Sequence, residues 1–217
     1  MDSEVELTGI EALTKIVLRV SFSCLIFLVG SAMAIEEPKY TVQSQGEHYE
    51  IRRYPKTLVA ETLVDAEFEQ AGNKAFRILA DYIFGNNKPN KKIAMTAPVA
   101  QTASSEKIAM TAPASQVRGQ NGFLIQFTMP ANYTLENLPE PNDHRVQIRE
   151  IPSRTMAVYE YSGSWSESRY NEKLADFRRE LETAGLKPIA EPVFARFNSP
   201  FTLWFLRRNE IWLEVAH

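Results

Sequence analysis

Apolar and polar positions alternate over His48-Tyr-Glu-Ile-Arg-Arg-Tyr54, and the β-rich run Thr57-Leu-Val-Ala-Glu-Thr-Leu-Val64 follows. Both segments predict strands, joined by a turn at Pro55-Lys56. The period then lengthens. Phe68, Ala71, Ala75, Phe76, Leu79, Tyr82 and Ile83 fall three or four residues apart, which predicts a helix with Asp65 as its cap and Gly85 as its stop. Asn86 to Lys92 reads as a polar, cationic loop. The plan recurs further on. Val146 to Ile151 predicts a strand, Pro152-Ser153 a turn, and Thr155 to Tyr161 a second strand closed by Gly163. Glu167 to Ala184 predicts a helix with Tyr170, Leu174, Phe177 and Leu181 on one face, Ser164 or Ser166 as cap and Gly185 at its end.

The two halves match in register. Ile51-Arg52-x-x-Pro55 corresponds to Ile148-Arg149-x-x-Pro152 at an offset of 97 residues. This pattern is expected from an internal duplication of a ββαββ unit. Strand-turn-strand-helix also recurs without common origin, and that alternative stays open. Two such units related by a pseudo-twofold axis would form an α+β fold, a distorted antiparallel β-barrel with two helices packed outside. Closure would remove exposed sheet edges.

The strongest local signal is Lys92-Ile-Ala-Met-Thr-Ala-Pro98, repeated fifteen residues later as Lys107-Ile-Ala-Met-Thr-Ala-Pro113. Ile93, Met95 and Ala97 share one side of an extended chain, as do Ile108, Met110 and Ala112. Each copy ends at a proline, which has no N–H for a ladder. The polar stretch from Gln101 to Glu106 suits a hairpin loop.

Residues 1–34 read separately. Lys15 and Arg19 precede an apolar run from Val20 to Gly30, followed by Ser31-Ala32-Met33-Ala34. A basic region, a short apolar region and Ala-x-Ala form the layout of a secretory signal. The alternative is an uncleaved anchor, so residues 1–34 are expected to be a signal peptide or membrane anchor and residues 35–217 the folded domain. Export, or tethering through residues 16–34, follows from either. Asp2, Glu4, Glu6 and Glu11 upstream make the leader unusual, and a mis-assigned start or a soluble tail is a third reading. Removal of the leader takes four acids and two bases, leaving 27 − 4 = 23 acidic and 24 − 2 = 22 basic residues. In a eukaryotic secretory pathway Asn132-Tyr133-Thr134 would be a glycan acceptor.

Composition narrows the function. A formal net charge of −3, with no basic run longer than two in the folded region, gives no footprint for nucleic acid. The only cysteine is Cys24, in the apolar leader, so residues 35–217 hold no disulfide, thiolate metal site or cysteine nucleophile. His48, His144 and His217 form no metal-spaced pair. Gly-x-Ser-x-Gly, phosphate-loop and Gly-x-Gly-x-x-Gly motifs are absent.

Three separated segments together resemble the SOUL/HBP family of haem-binding proteins. They are the Lys-Ile-Ala-Met-Thr-Ala-Pro segment, the opening Tyr49-Glu-Ile-Arg-Arg-Tyr54, and the closing Phe197-Asn-Ser-Pro-Phe201 with Leu206-Arg-Arg-Asn-Glu-Ile-Trp-Leu-Glu214. The likeness runs from about Tyr40 to Val215. It implies the family's pseudo-twofold α+β barrel and non-enzymatic binding of haem or another tetrapyrrole, as carrier or buffer, through an apolar pocket against the first helix. The corresponding residues are Asn73, Phe76 and Ala80. Lys91, Lys92, Arg207 and Arg208 are candidate partners for the propionates. Met95 and Met110 carry thioethers that can meet iron, and core packing is the competing role. Some members place a histidine where Arg53 stands, so strong axial ligation is not expected; His48 is the one weak metal candidate. The alternative function is a binding domain for another amphiphile or a protein partner. A hydrolase using Glu210 as base is a third reading, against a structural ion pair of Glu210 with Arg207 or Arg208.

Overall fold

The alternating segments pair into one nine-stranded antiparallel sheet, seen in a computed structural model that describes residues 35–88, 105–199 and 201–216. The first half supplies β1 (Thr41–Gln45), β2 (Tyr49–Tyr54), β3 (Thr57–Val64), α1 (Phe68–Ile83), β4 (Asn87–Lys88), β5 (Ala114–Gly119) and β6 (Gly122–Thr128). The second supplies β7 (Glu140–Pro141), β8 (Gln147–Ile151), β9 (Arg154–Ser162), α2 (Glu167–Thr183), β10 (Val193–Arg196), a short 3-10 turn at Trp204–Leu206 and β11 (Arg208–Glu214). The sheet order is β1-β2-β9-β11-β10-β5-β6-β3-β8, and β4 pairs separately with β7. Exchanging β2, β3, β5 and β6 for β8, β9, β10 and β11 turns the order of these eight strands into its own reverse.

Period-two patterning decides which side chains meet the helices. Leu58, Ala60 and Val64 of β3, Phe123, Ile125 and Phe127 of β6, and Ile211 and Leu213 of β11 form the main core with α1 and α2. The helices contribute the stripes read in the sequence: Phe68, Ala71, Ala75, Leu79, Tyr82 and Ile83 from α1, and Tyr170, Leu174, Phe177 and Leu181 from α2. Phe68 packs on Tyr170 at 5.0 Å between ring centroids, so both helices cover the same face of the sheet. Alternate residues on the other face, Tyr54, Met156, Val158, Val193, Ala195 and Trp212, form a second apolar cluster.

Four local expectations change. Glu67, not Asp65, occupies the N-cap of α1 and makes no side-chain cap bond; the Asp65 carbonyl instead accepts Lys74 Nζ at 2.6 Å. Ser166 caps α2 by position, but its hydroxyl meets Ser164 at 3.1 Å instead of a helix N–H. The second Lys-Ile-Ala-Met-Thr-Ala-Pro copy is extended without joining a strand ladder. Its Ile108 N–H donates to Ile83 O at 2.8 Å and its Ala112 N–H to Glu36 O at 2.9 Å, so the helix end and the N-terminal segment take the bonds a neighbouring strand would have taken. The first copy, with Lys92 and Met95, lies outside the described residues. Finally, among the described residues the ladders run from β1 at one end to β8 at the other and do not close. The sheet is nevertheless curled. Side chains of β2, β3, β5, β6, β9 and β11 surround one interior gap of about 20 Å³.

The turn after β7 is tied by charge. Arg145 donates to both Asp143 oxygens, at 3.0 Å from Nε and 2.5 Å from Nη2. These bonds hold the Asp143 carboxyl down at about 2. A carboxyl depressed on folding stabilises above its unfolded value of roughly 4, and that contribution is lost as pH falls towards the folded value. Asp143→Asn is therefore expected to lower the thermal midpoint at pH 7 and to match wild type near pH 2. An equal offset at both pH values would assign the effect to packing.

Candidate functional site

One side of α1 carries Asn73, Phe76 and Ala80, spaced about one turn apart, with Gly72 next to Asn73. Asn73 is exposed, and Ala80 is buried at 6%. Phe76 is 40% exposed and rests edge-on against Phe127 of β6 at 5.7 Å. A phenyl ring left this open on an otherwise well-packed helix offers a flat apolar surface to solvent. At the N-terminal end of the stripe the helix closes on Arg196, the last residue of β10. A Cβ at position 72 would stand 2.6 Å from Arg196 Nη1, so any larger residue there would displace the guanidinium from this position.

Arg196 begins a stack that leads to the β10–β11 loop. Its guanidinium lies over the Trp165 ring at 5.1 Å, and the Arg207 guanidinium lies over the same ring at 4.2 Å. Trp165 is fixed by donating Nε1–H to Asn209 Oδ1 at 2.8 Å. Arg207 Nε donates to Thr202 O at 2.8 Å and so pins the loop. That loop exposes Phe201 at 95%, together with Leu203, Trp204, Phe205 and Leu206, each more than half exposed. Among the described residues nothing covers this run of large apolar side chains. The stripe and the loop thus meet through Arg196, Trp165 and Arg207.

The other sequence candidates lie elsewhere. Arg208 follows Arg207 in the chain but points to the helix-free face of the sheet. There its Nη2 meets Glu210 at 2.8 Å and its Nη1 meets Glu37 at 3.0 Å. Glu210 is fully buried and is held also by Arg52 Nη1 at 3.1 Å and Trp212 Nε1 at 2.6 Å. The carboxylate is saturated with donors, which is the structural ion pair with Arg208. His48 Nδ1 lies 3.1 Å from Glu180 on an open groove of about 600 Å³ beside α2. Glu47, Asp176 and Glu180 line that groove against one arginine, Arg179, and repel a dianionic ligand. Met110 is partly buried against the main core. Among the described residues no group of three His, Cys, Asp or Glu can hold a metal ion. No helix there is long and apolar enough to cross a membrane.

Sequence reasoning missed Trp165 and Arg196, whose roles depend on pairing across β10 and β11. It also passed over the apolar run from Phe201 to Leu206, which was legible as a hydrophobic stretch with no strand to bury it.

A family match described as "SOUL heme-binding protein" spans residues 35–214. The chain belongs to this family. Within it, this SOUL protein is similar to "Heme-binding protein 2" of Homo sapiens, 29% identical over 191 residues, which cover 85% of this chain and 88% of that one. It is also similar to "Heme-binding protein 1" of Sus scrofa, 24% identical over 155 residues, covering 71% and 76%. Among solved structures the SOUL fold here resembles the EcmrR C-terminal domain, with a TM-score of 0.54 at 11% identity over 82% of this chain and 98% of that one. It also resembles a hydrolase from Listeria innocua, with a TM-score of 0.51 at 12% identity over 80% and 94%. At these identities the structural likeness shows the fold alone.

Proposed function

We propose that this SOUL protein binds haem or a related tetrapyrrole, without transforming it, on the outer face between α1 and the β10–β11 loop. The carrying observation is the pairing of exposed aromatic surface with cations at that face. Phe76 and the Phe201–Leu206 run supply apolar area for a planar ring, and Arg207 supplies a guanidinium at its edge. The interior of the curled sheet offers about 20 Å³, room for one water, whereas sites for ligands of this size take roughly 300–1,000 Å³. Among the described residues this favours a macrocycle lying against the outside of the fold. Neither α1 nor residues 197–207 contain His, Met or Cys, so binding there rests on apolar and ionic contact, not on a strong axial bond. When bound, haem would supply iron and an extended π surface; the protein's part is to hold it and shield one side from water.

Titration of the full chain with haemin, iron-free protoporphyrin and an unrelated amphiphile tests this. Haemin and protoporphyrin are expected to saturate with affinities within about tenfold of each other, because a missing axial bond leaves under roughly 1.4 kcal/mol to separate them. Absence of saturable porphyrin binding would overturn the proposal. Saturation by the other amphiphile alone would favour the second reading, a site for a different amphiphile or for a partner protein on the exposed loop. We also read the two halves as one duplicated ββαββ unit, supported by the 97-residue offset and the exchange symmetry of the strand order. Residues 1–34 are read as a signal peptide or anchor that exports or tethers the domain.

A further inference from the structure

A row of three polar side chains crosses the helix-covered face of the sheet beneath the start of α1. Arg196 of β10 pairs with Asn209 of β11, and Asn209 with Tyr161 of β9, so the three stand side by side at strand spacing, roughly 5 Å apart. All are enclosed: Arg196 is 9% exposed, Tyr161 8% and Asn209 0%. Asn209 is satisfied, since it accepts from Trp165 and donates to Gly163 O at 3.1 Å. Its two neighbours are not. Arg196 Nε and the Tyr161 hydroxyl are both buried polar atoms with no hydrogen-bond partner.

Among the described residues Arg196 has no carboxylate in contact with it. Its Nη2 donates to the neutral Gln116 Oε1 at 2.9 Å, and rings of Phe68, Phe194 and Trp165 surround the rest. Glu69 acts on it only from a distance, while accepting the Glu167 amide at 2.9 Å. Burial accordingly pulls the guanidinium pKa down to about 10. An enclosed cation without a carboxylate costs several kcal/mol, and native proteins rarely leave a buried donor empty. With no side chain at Gly72, the Arg196 guanidinium packs directly against α1, one turn from Phe76.

We propose that Arg196 and the Tyr161 hydroxyl form a carboxylate-binding site under the first turns of α1, which takes one propionate of a tetrapyrrole lying along the α1 stripe. Arg196 Nε and Tyr161 Oη donate to the carboxylate, and Trp165 screens the pair from water. This assignment rests on the preceding reading for the identity of the ligand but not for the existence of the anion site.

Three probes on the full chain separate the two: sodium propionate, haemin and haemin dimethyl ester. Propionate is expected to shift the tryptophan fluorescence and raise the thermal midpoint of wild type, and to do neither in Arg196→Gln. Haemin is expected to bind at least about tenfold tighter than its diester, since a charge-assisted bond contributes about 1.5–3 kcal/mol. That ratio is expected to fall to roughly twofold or less in Arg196→Gln and to an intermediate value in Tyr161→Phe. Tyr161→Phe removes a single hydroxyl and carries the test if Arg196→Gln fails to fold. An unchanged acid-to-ester ratio in the variants, or no propionate response in wild type, overturns the site and leaves these atoms to a buried water only. A propionate response without haemin binding retains the anion site and rejects the tetrapyrrole.

Discussion

Replacing Glu210 with leucine is expected to lower the thermal midpoint by roughly 10 °C, because it strands a buried cation. Arg52 is 5% exposed, and Glu210 is the fully buried partner that faces it across the sheet at 3.1 Å. Breaking such a pair from one side costs about 3–5 kcal/mol, and each kcal/mol moves the midpoint of a domain this size by about 2–4 °C. Arg208 loses less, because Glu37 and Glu160 remain beside it. Trp212 Nε1 loses its acceptor and adds to the cost. The double variant Arg52→Met with Glu210→Leu is expected to recover at least half of the loss, since it removes the orphaned charge. Calorimetry of the three proteins checks this. A single-variant shift under about 2 °C would mean that water reaches Arg52 and that the network is not sealed. The same variant bears on the hydrolase reading: with four donors from Arg52, Arg208 and Trp212 already on its oxygens, Glu210 is not placed to accept a substrate proton. Ester or amide turnover in wild type that vanishes in Glu210→Gln would reverse that assignment.

The periodicities read from the sequence carried most of the fold because they depend on local geometry. The α2 stripe of Tyr170, Leu174, Phe177 and Leu181 is the buried face in full, and Gly185 stops the helix with a φ of +72°. What alternation cannot supply is the face each phase turns to. Arg207 and Arg208 are adjacent in sequence and looked equivalent as propionate partners. The first lies outside β11 and stacks on Trp165, while the second enters the strand and is turned by the pleat towards Glu210. The row Tyr161–Asn209–Arg196 was likewise invisible, since its members are 13 to 48 residues apart in chain positions and meet only through the β9–β11–β10 register. The second Lys-Ile-Ala-Met-Thr-Ala-Pro copy shows the opposite error. Its alternation is real, with Ile108 and Ala112 buried, but the pattern of an extended chain does not by itself specify a neighbouring strand.

Replacing Phe76 with glutamate is expected to weaken haemin binding by about a hundredfold while moving the thermal midpoint by less than about 2 °C. Phe76 makes one ring contact, with Phe127, and is 40% exposed, so the fold depends on it weakly. A tetrapyrrole lying on the α1 stripe depends on it strongly. Loss of the ring removes apolar contact worth about 1.5–3 kcal/mol, and a carboxylate near the propionates adds roughly 1 kcal/mol of repulsion. Together these come to about 2.5–4 kcal/mol, which brackets the roughly 2.8 kcal/mol that a hundredfold change requires. Phe76→Leu retains most of the apolar area and loses the flat face, and is expected to cost only about threefold to tenfold. His48→Ala provides the contrast, because its groove beside α2 is rimmed by Glu47, Asp176 and Glu180; it is expected to leave both haemin affinity and the Soret band unchanged. Titration by Soret absorbance measures all three. Wild-type affinity in Phe76→Glu together with a shifted Soret band in His48→Ala would move the ligand from α1 to the α2 groove and make it a histidine-ligated haem.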